Sequence, residues 1–385
     1  MRVLALVSAD FGELSYAKYF LSGLSSVPAP TLMVPTTLGQ PEACDPQSNL
    51  RHYSALADIL AVVEELRPQV VLFFSGYLLT IGPRFSLFNA LWLLHQLRRR
   101  NIPLVTSDPF IGLLRTPWAL QFDAVLPSST GFLAGFAARL AHWKLSFRGY
   151  VMYLRLKPVL HIYPMPLANR VAAKPGHQCS FYNPLVLSGQ VAMSADHFQA
   201  PLWFFVLSAI DLQYQRKVHG EGFYAQIAGR LQDAVRCGAK VVLLAPAEML
   251  ERLRGLLPAD FPAQLMDHCE HLNYLRLLQR AQHLFLWNYY SFSVLHRILS
   301  QQAVFFFAEG HMVSILPALQ EEGIRTFYGG WRPPLLRLDD PLAPVKLDPL
   351  AQQTCQNFAK IKLRMAQGIS PQAVLERAVG ATDGL

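Results

Sequence analysis

Cysteine is scarce in this 385-residue chain. Cys44, Cys179, Cys237, Cys269 and Cys355 are scattered, odd in number, and none belongs to a C-x-x-C pair. That spacing excludes a disulfide framework and the common zinc-ligand patterns, and predicts a reduced protein without a metal site. No run of 18 or more apolar residues occurs, so no membrane span is predicted. Met1-Arg2 leads straight into a short apolar run that ends before Asp10. That run is too brief for the apolar region of a signal peptide. The expected location is the cytoplasm, with room for peripheral contact at the inner membrane face. Charged residues make up only 16% of the chain against 52% hydrophobic, which argues against long disordered tails and supplies two ordinary cores.

Acidic residues are missing from one long segment. Residues 124–195 contain no Asp or Glu, but carry Arg139, Lys144, Arg148, Arg155, Lys157, Arg170 and Lys174. Those seven supply nearly all of the net charge of +8, which implies an anionic partner. The common chemical signatures are absent as well: no G-x-G-x-x-G, P-loop, H-E-x-x-H or G-x-S-x-G, and no nucleic-acid-binding motif. Nucleic acid is not expected as a partner. Function has to be read from the ends of strands.

What is present is a rhythm. Strands are predicted over 3–7, 32–34, 70–74, 103–106, 124–126 and 159–163, with helices over 15–24, 53–66, 86–100 and 133–147. A stretch rich in Pro, Gly and Asn follows, and the linker is expected at about 168–199. The rhythm then restarts. Strands are predicted over 202–207, 240–245, 283–287 and 303–307, with helices over 223–237, 248–256, 272–281, 292–300 and 315–322. Terminal helices are predicted over 350–366 and 371–379. Alternating strands and helices imply parallel sheets with right-handed crossovers. The expected fold class is α/β, with two Rossmann-like doubly wound domains, 1–185 and 186–349. Residues 350–385 are expected to pack back towards the first.

The segment 271–310 is the most informative. It reads as helix, strand, polar turn, helix and strand. The turn over 288–293 leaves a parallel strand and opens a helix, where free N–H groups and the helix dipole favour an anion. Asn288, Ser291 and Ser293 stand in it. The alternative for either serine is an ordinary N-cap, and the two roles can coexist.

This arrangement resembles the GT-B nucleotide-sugar glycosyltransferases. Ala281-Gln282-His283-Leu284-Phe285-Leu286 takes the place of their strand before the donor-contacting helix. Gln301-Gln302-Ala303-Val304-Phe305 takes the place of the strand after it. The retaining enzymes' pair of glutamates is absent, because no acid lies between Glu270 and Glu309. A fainter resemblance, to bacterial GT-B-like proteins of unknown function, rests on the serine turn, on Ile162-Tyr163-Pro164-Met165-Pro166-Leu167 and on Phe327-Tyr328-Gly329-Gly330-Trp331.

The resemblance implies two domains facing a cleft, with acceptor side first and donor side second. It implies a hexosyltransferase-type activity with a nucleotide sugar as substrate and no cofactor. Transfer would be metal-independent, leaning towards inversion. The alternative is a non-catalytic module that binds a nucleotide or a protein.

Inverting transfer needs a base on the acceptor hydroxyl. Asp10 and Glu13 follow the first strand, and Asp108 follows the strand over 103–106. Each also has a structural alternative, as a helix cap, a dipole partner or a turn former. Ser208 follows the strand over 202–207 and reaches towards a donor phosphate or caps a turn. His268 is a candidate for the nucleotide base, and His311, just past a strand, for the sugar. In the acid-free segment, Arg139, Trp143, Lys144 and Arg148 form an expected membrane or anion patch. The alternative there is a packed helix with its charges in water.

Overall fold

The structure is a computed structural model. It describes residues 1–8, 11–24, 29–38, 49–80, 85–107, 132–166, 177–184, 200–307, 310–311, 314 and 318–380. The chain divides into two compact units. Unit 1 comprises Met1–Leu120, Leu140–Gly189 and Leu363–Leu385; unit 2 comprises Gln121–Arg139 and Gln190–Lys362.

Unit 1 is built on seven strands: β1 (Val3–Leu6), β2 (Thr31–Pro35), β3 (Asn49–Tyr53), β4 (Val70–Phe73), β5 (Leu104–Thr106), β6 (Leu160–Tyr163) and β7 (Gln178–Ser180). They lie in the order β3-β2-β1-β4-β5-β6-β7, with every neighbouring pair parallel. Helices α1 (Phe11–Leu21), α2 (Leu56–Leu66), α3 (Leu87–Arg99) and α4 (Phe132–Leu156) accompany them, α4 counting with unit 1 from Leu140 onward. All residues of β1 and β4 are buried, because helices cover both faces of a parallel sheet. Hence these strands read as unbroken apolar runs.

Unit 2 has five strands: β8 (Leu202–Val206), β9 (Lys240–Leu244), β10 (Ala263–Met266), β11 (His283–Leu286) and β12 (Val304–Phe306). Their order is β10-β9-β8-β11-β12, again all parallel. Seven further helices follow among the described residues. They are α5 (Ala209–His219), α6 (Gly222–Arg236), α7 (Ala247–Arg254), α8 (His271–Arg280), α9 (Phe292–Ser300), α10 (Ala318–Thr326) and α11 (Pro344–Met365). The core is unusually aromatic. Phe205 stacks on Phe285 at 4.3 Å between centroids, and Phe285 on Phe307 at 5.4 Å. This ladder ties β8 and β11 to the exit of β12 through large buried faces.

The last helix, α12 (Pro371–Gly380), belongs to unit 1. Its Val374 and Leu375 are fully buried, and Ile369 just before it bridges Phe181 in parallel.

Both units are the doubly wound parallel sheets that the alternation predicts. Several elements differ in detail. Asn49–Tyr53 is a strand, although the predicted helix begins at Tyr53. Its polar composition is that of an edge strand, exposed on one side. Helix α1 starts at Phe11, α4 continues to Leu156, and α11 begins at Pro344. Helix α5 and strands β7 and β10 have no counterpart in the sequence reading. The strand predicted over 124–126 lies outside the described residues, as does much of the predicted linker.

Candidate functional site

In a doubly wound sheet the strand order reverses at one point, and the loops leaving the two strands there diverge into a crevice. In unit 2 that point lies between β8 and β11. The sequence places Ser208 at the exit of β8 and Asn288 at the exit of β11.

Ser208 is the N-cap of α5. Its Oγ accepts the Asp211 N–H at 3.1 Å and donates to Asp211 Oδ2 at 2.7 Å. Asp211 is buried, and its other oxygen, Oδ1, accepts two bonds from one residue. The His311 backbone N–H reaches it at 2.9 Å, and His311 Nδ1 at 2.8 Å. Burial alone pushes the Asp211 carboxyl up. The His311 and Ser208 donors outweigh it and hold the carboxyl below its usual range.

His311 follows β12, and Gly310 fixes where. A Cβ at Gly310 would lie 2.5 Å from the Trp287 carbonyl oxygen and 2.8 Å from Asn288 Cα. Only glycine allows the exit of β12 to lie this close to the exit of β11. Asn288 Oδ1 accepts the Tyr290 N–H at 3.2 Å, which shapes the turn into α9. Ser291 is the N-cap of α9, with Oγ accepting from Val294 N–H at 3.3 Å.

Ser208, Asp211, His311 and Asn288 are therefore linked at the carboxyl edge of one sheet, beside the capped N-terminus of α9. Ser293 is on α9 but turns inward. It is buried, and its Oγ is hydrogen-bonded to Tyr274 Oη at 2.5 Å. His268 is exposed between β10 and α8. Strand β10 forms the edge of the sheet opposite β12, so His268 follows a different strand end from the linked group.

In unit 1 the reversal lies between β1 and β4. Glu13 stands in the first turn of α1, is buried, and its Oε2 accepts Ser8 N–H at 2.7 Å and Ser8 Oγ at 2.9 Å. The carboxylate thus holds the loop at the exit of β1. Asp10 and Asp108 lie outside the described residues. On α4, Trp143 is 53% exposed and Phe147 42%, with their rings stacked at 5.7 Å. Lys144 is exposed and Arg148 half-buried beside them, whereas Arg139 is described in its backbone only.

Asp211 is the residue that sequence reading missed. Its signal was the Ser208-x-x-Asp211 spacing, a capping-box pattern that marks a helix start. No group of three or more His, Cys, Asp and Glu side chains that could hold a metal occurs among the described residues. No helix among them is long and apolar enough to cross a membrane.

No protein-family model matches the chain, and no curated protein matches it in sequence. Solved structures do resemble it. Os79 from O. sativa, in complex with UDP, is 12% identical over 98% of this chain and 100% of its own, with a TM-score of 0.59. The spinosyn rhamnosyltransferase SpnG, complexed with thymidine diphosphate, is 14% identical over 98% and 99%, with a TM-score of 0.54. A Listeria monocytogenes protein assigned as a UDP-N-acetylglucosamine 2-epimerase is 10% identical over 100% and 96%, with a TM-score of 0.52. With both sheets parallel and doubly wound, these likenesses show that the chain has the GT-B-like fold of nucleotide-sugar glycosyltransferases and epimerases.

Proposed function

We propose that this chain transfers a sugar from a nucleotide-sugar donor to an acceptor hydroxyl, with unit 2 binding the donor. The observation that carries this reading is the linked group at the reversal point of the unit 2 sheet. Asn288 and Ser291 shape the start of α9, where backbone N–H groups favour a diphosphate. Ser208 and His311 follow β8 and β12, the strands on either side of β11. The base is assigned to an acid of unit 1: Asp10, Glu13 or Asp108. Transfer is read as metal-independent, with the leaving diphosphate met by the helix terminus and donor side chains. The missing glutamate pair favours inversion.

A thermal-shift screen against UDP, thymidine diphosphate and their sugar conjugates tests this. At one hundred times Kd a ligand adds about 2.7 kcal/mol to stability, which raises Tm by about 5–10 °C for a unit of this size. No shift with any of them would overturn the reading.

Binding without transfer is favoured by one observation: the hydroxyls of Ser208, Ser291 and Ser293 are each already engaged within the protein. Release of free nucleoside diphosphate from a sugar conjugate, on adding an extract that supplies acceptors, separates the two readings.

The acceptor side is proposed to meet an anionic membrane surface. Leu140, Trp143, Phe147, Tyr150 and Leu154 form an exposed stripe on α4, spaced alternately three and four residues apart. Lys144 and Arg148 flank it. A second copy on this face would set those cations against each other, whereas anionic headgroups complement them. Vesicles of phosphatidylserine should retain the protein at low salt and phosphatidylcholine should not. Equal retention, or concentration-dependent dimerisation in sedimentation velocity, would count against the membrane.

A further inference from the structure

The exposed stripe on α4 has a counterpart on the helix beside it. Strands β4, β5 and β6 are consecutive and parallel, so right-handed crossovers set α3 and α4 side by side on one face of the unit 1 sheet. Arg98 Nη2 donates to the Arg155 carbonyl oxygen at 2.5 Å, which joins the two helices directly. On α3, Phe88 is 73% exposed and Trp92 43%, and their rings stack at 6.4 Å between centroids. They stand one turn apart, opposite the buried Ala90, Leu94 and Leu97.

Between the two apolar ridges runs a basic groove. Lys144, Arg148 and Arg155 recur at helical spacing, which puts them on the flank of α4 that Arg98 touches. Neither helix contains an acid. Among the described residues none of these four cations has a carboxylate partner. Arg100, by contrast, is held by Glu64 of α2. Burial, and then the neighbouring Arg155, hold the Arg98 guanidinium below its usual range. Like charges crowded without a counter-ion favour an anion between them. The residues on either side decide which one. Leu140 and Leu154 are exposed in the same stripe as the α4 aromatics. Aliphatic side chains gain nothing from stacking on a nucleobase, but acyl chains take them up. Anionic charge at the depth of the cations, with hydrocarbon just below, is the interface of a bilayer.

We propose that the groove between α3 and α4 is a binding site for anionic phospholipid headgroups. Phe88 and Trp92 enter the bilayer on one side of it and the α4 stripe on the other. Arg98, Lys144, Arg148 and Arg155 meet the headgroups between them. Both helices then lie along the surface, in place of contact through α4 alone. The inference deepens the membrane reading given above and rests on it.

The test measures binding of the full chain to phosphatidylserine vesicles at low salt. Wild type is compared with Phe88→Ser/Trp92→Ser and with Arg98→Gln/Arg155→Gln; Trp143→Ser/Phe147→Ser is the α4 reference. Loss of the α3 aromatics is expected to weaken binding about ten-fold or more. Each cation removed should cost about five-fold. With bromine on the acyl chains, part of the tryptophan quenching seen in wild type should be missing in Trp92→Phe.

A wild-type chain that the vesicles do not retain overturns the membrane reading and this inference together. Weakening by the α4 substitutions alone, with both α3 variants bound as wild type, overturns this inference and leaves the membrane reading standing. Unchanged quenching in Trp92→Phe has the same meaning. A single-stranded oligonucleotide that displaces the wild type from vesicles, and whose own binding fails in the same variants, would assign the groove to nucleic acid and overturn the proposal. If Arg98→Gln/Arg155→Gln does not fold, the α3 aromatic pair and the quenching decide.

Discussion

Arg297 lies on α9 with no exposed surface, and carbonyl groups surround it. Its Nη1 donates to Leu278 O at 2.7 Å and Ala281 O at 2.8 Å, and its Nη2 to Ala303 O at 2.7 Å. One guanidinium thereby closes the end of α8 and the approaches to β11 and β12. Lysine cannot reproduce that fork. Arg297→Lys leaves buried carbonyls unmatched and is expected to cost about 3 kcal/mol or more, read from the urea midpoint. His161 is buried as a neutral ring. Nδ1 donates to Val159 O at 2.7 Å, and Nε2 accepts from Tyr77 Oη at 2.5 Å. Burial pulls its pKa down to about 4. The unfolded chain takes up this proton near pH 6.5, whereas the folded chain waits until about pH 4. Between those values the unfolded state binds more protons, so stability falls as the pH falls through that window. The loss reaches about 3 kcal/mol at its foot. Thermal melts at pH 7 and pH 4.5 should show a larger drop for wild type than for His161→Asn.

At the scale of elements, Ser291 tests how much α9 depends on its cap. Ser291→Ala removes the acceptor for Val294 N–H and is expected to cost about 1 kcal/mol, seen as a lower denaturant midpoint with an unchanged slope. The elements themselves were unequally legible. Strands buried on both faces, such as β1 and β4, show as apolar runs because helices exclude water from both sides. The edges carry no such constraint. Asn49–Tyr53 holds only Leu50 and Tyr53 as strand formers, and β7 is only Gln178–Ser180. Helix α5 is mostly polar, and its start shows only in the Ser208 and Asp211 spacing. The candidate site shared that fate. Its strand-exit residues were readable from position alone. Asp211 was not, because its role depends on Gly310 bringing His311 across from another strand.

At the scale of the whole molecule, unit 1 is assembled from segments that lie on both sides of unit 2 in the sequence. The Tyr182 N–H donates to Ile369 O and the Ile369 N–H to Ser180 O, each at 3.0 Å. A Cβ at Gly368 would lie 2.7 Å from the Phe181 carbonyl carbon, so this seam tolerates no side chain there. Ending the chain after Lys362 should therefore speed hydrogen exchange in β4 and β7 while leaving β8, β9 and β11 protected. Uniform loss of protection would show instead that the seam is not local to unit 1. The same seam sets a timetable on the ribosome. All of unit 2 has been synthesised by Lys362, and it can close its sheet while unit 1, whose seven strands precede β8, still lacks α12. At about 5–20 residues per second, the sheet of unit 1 lacks the cover of α12 until the residues after Lys362 have been made.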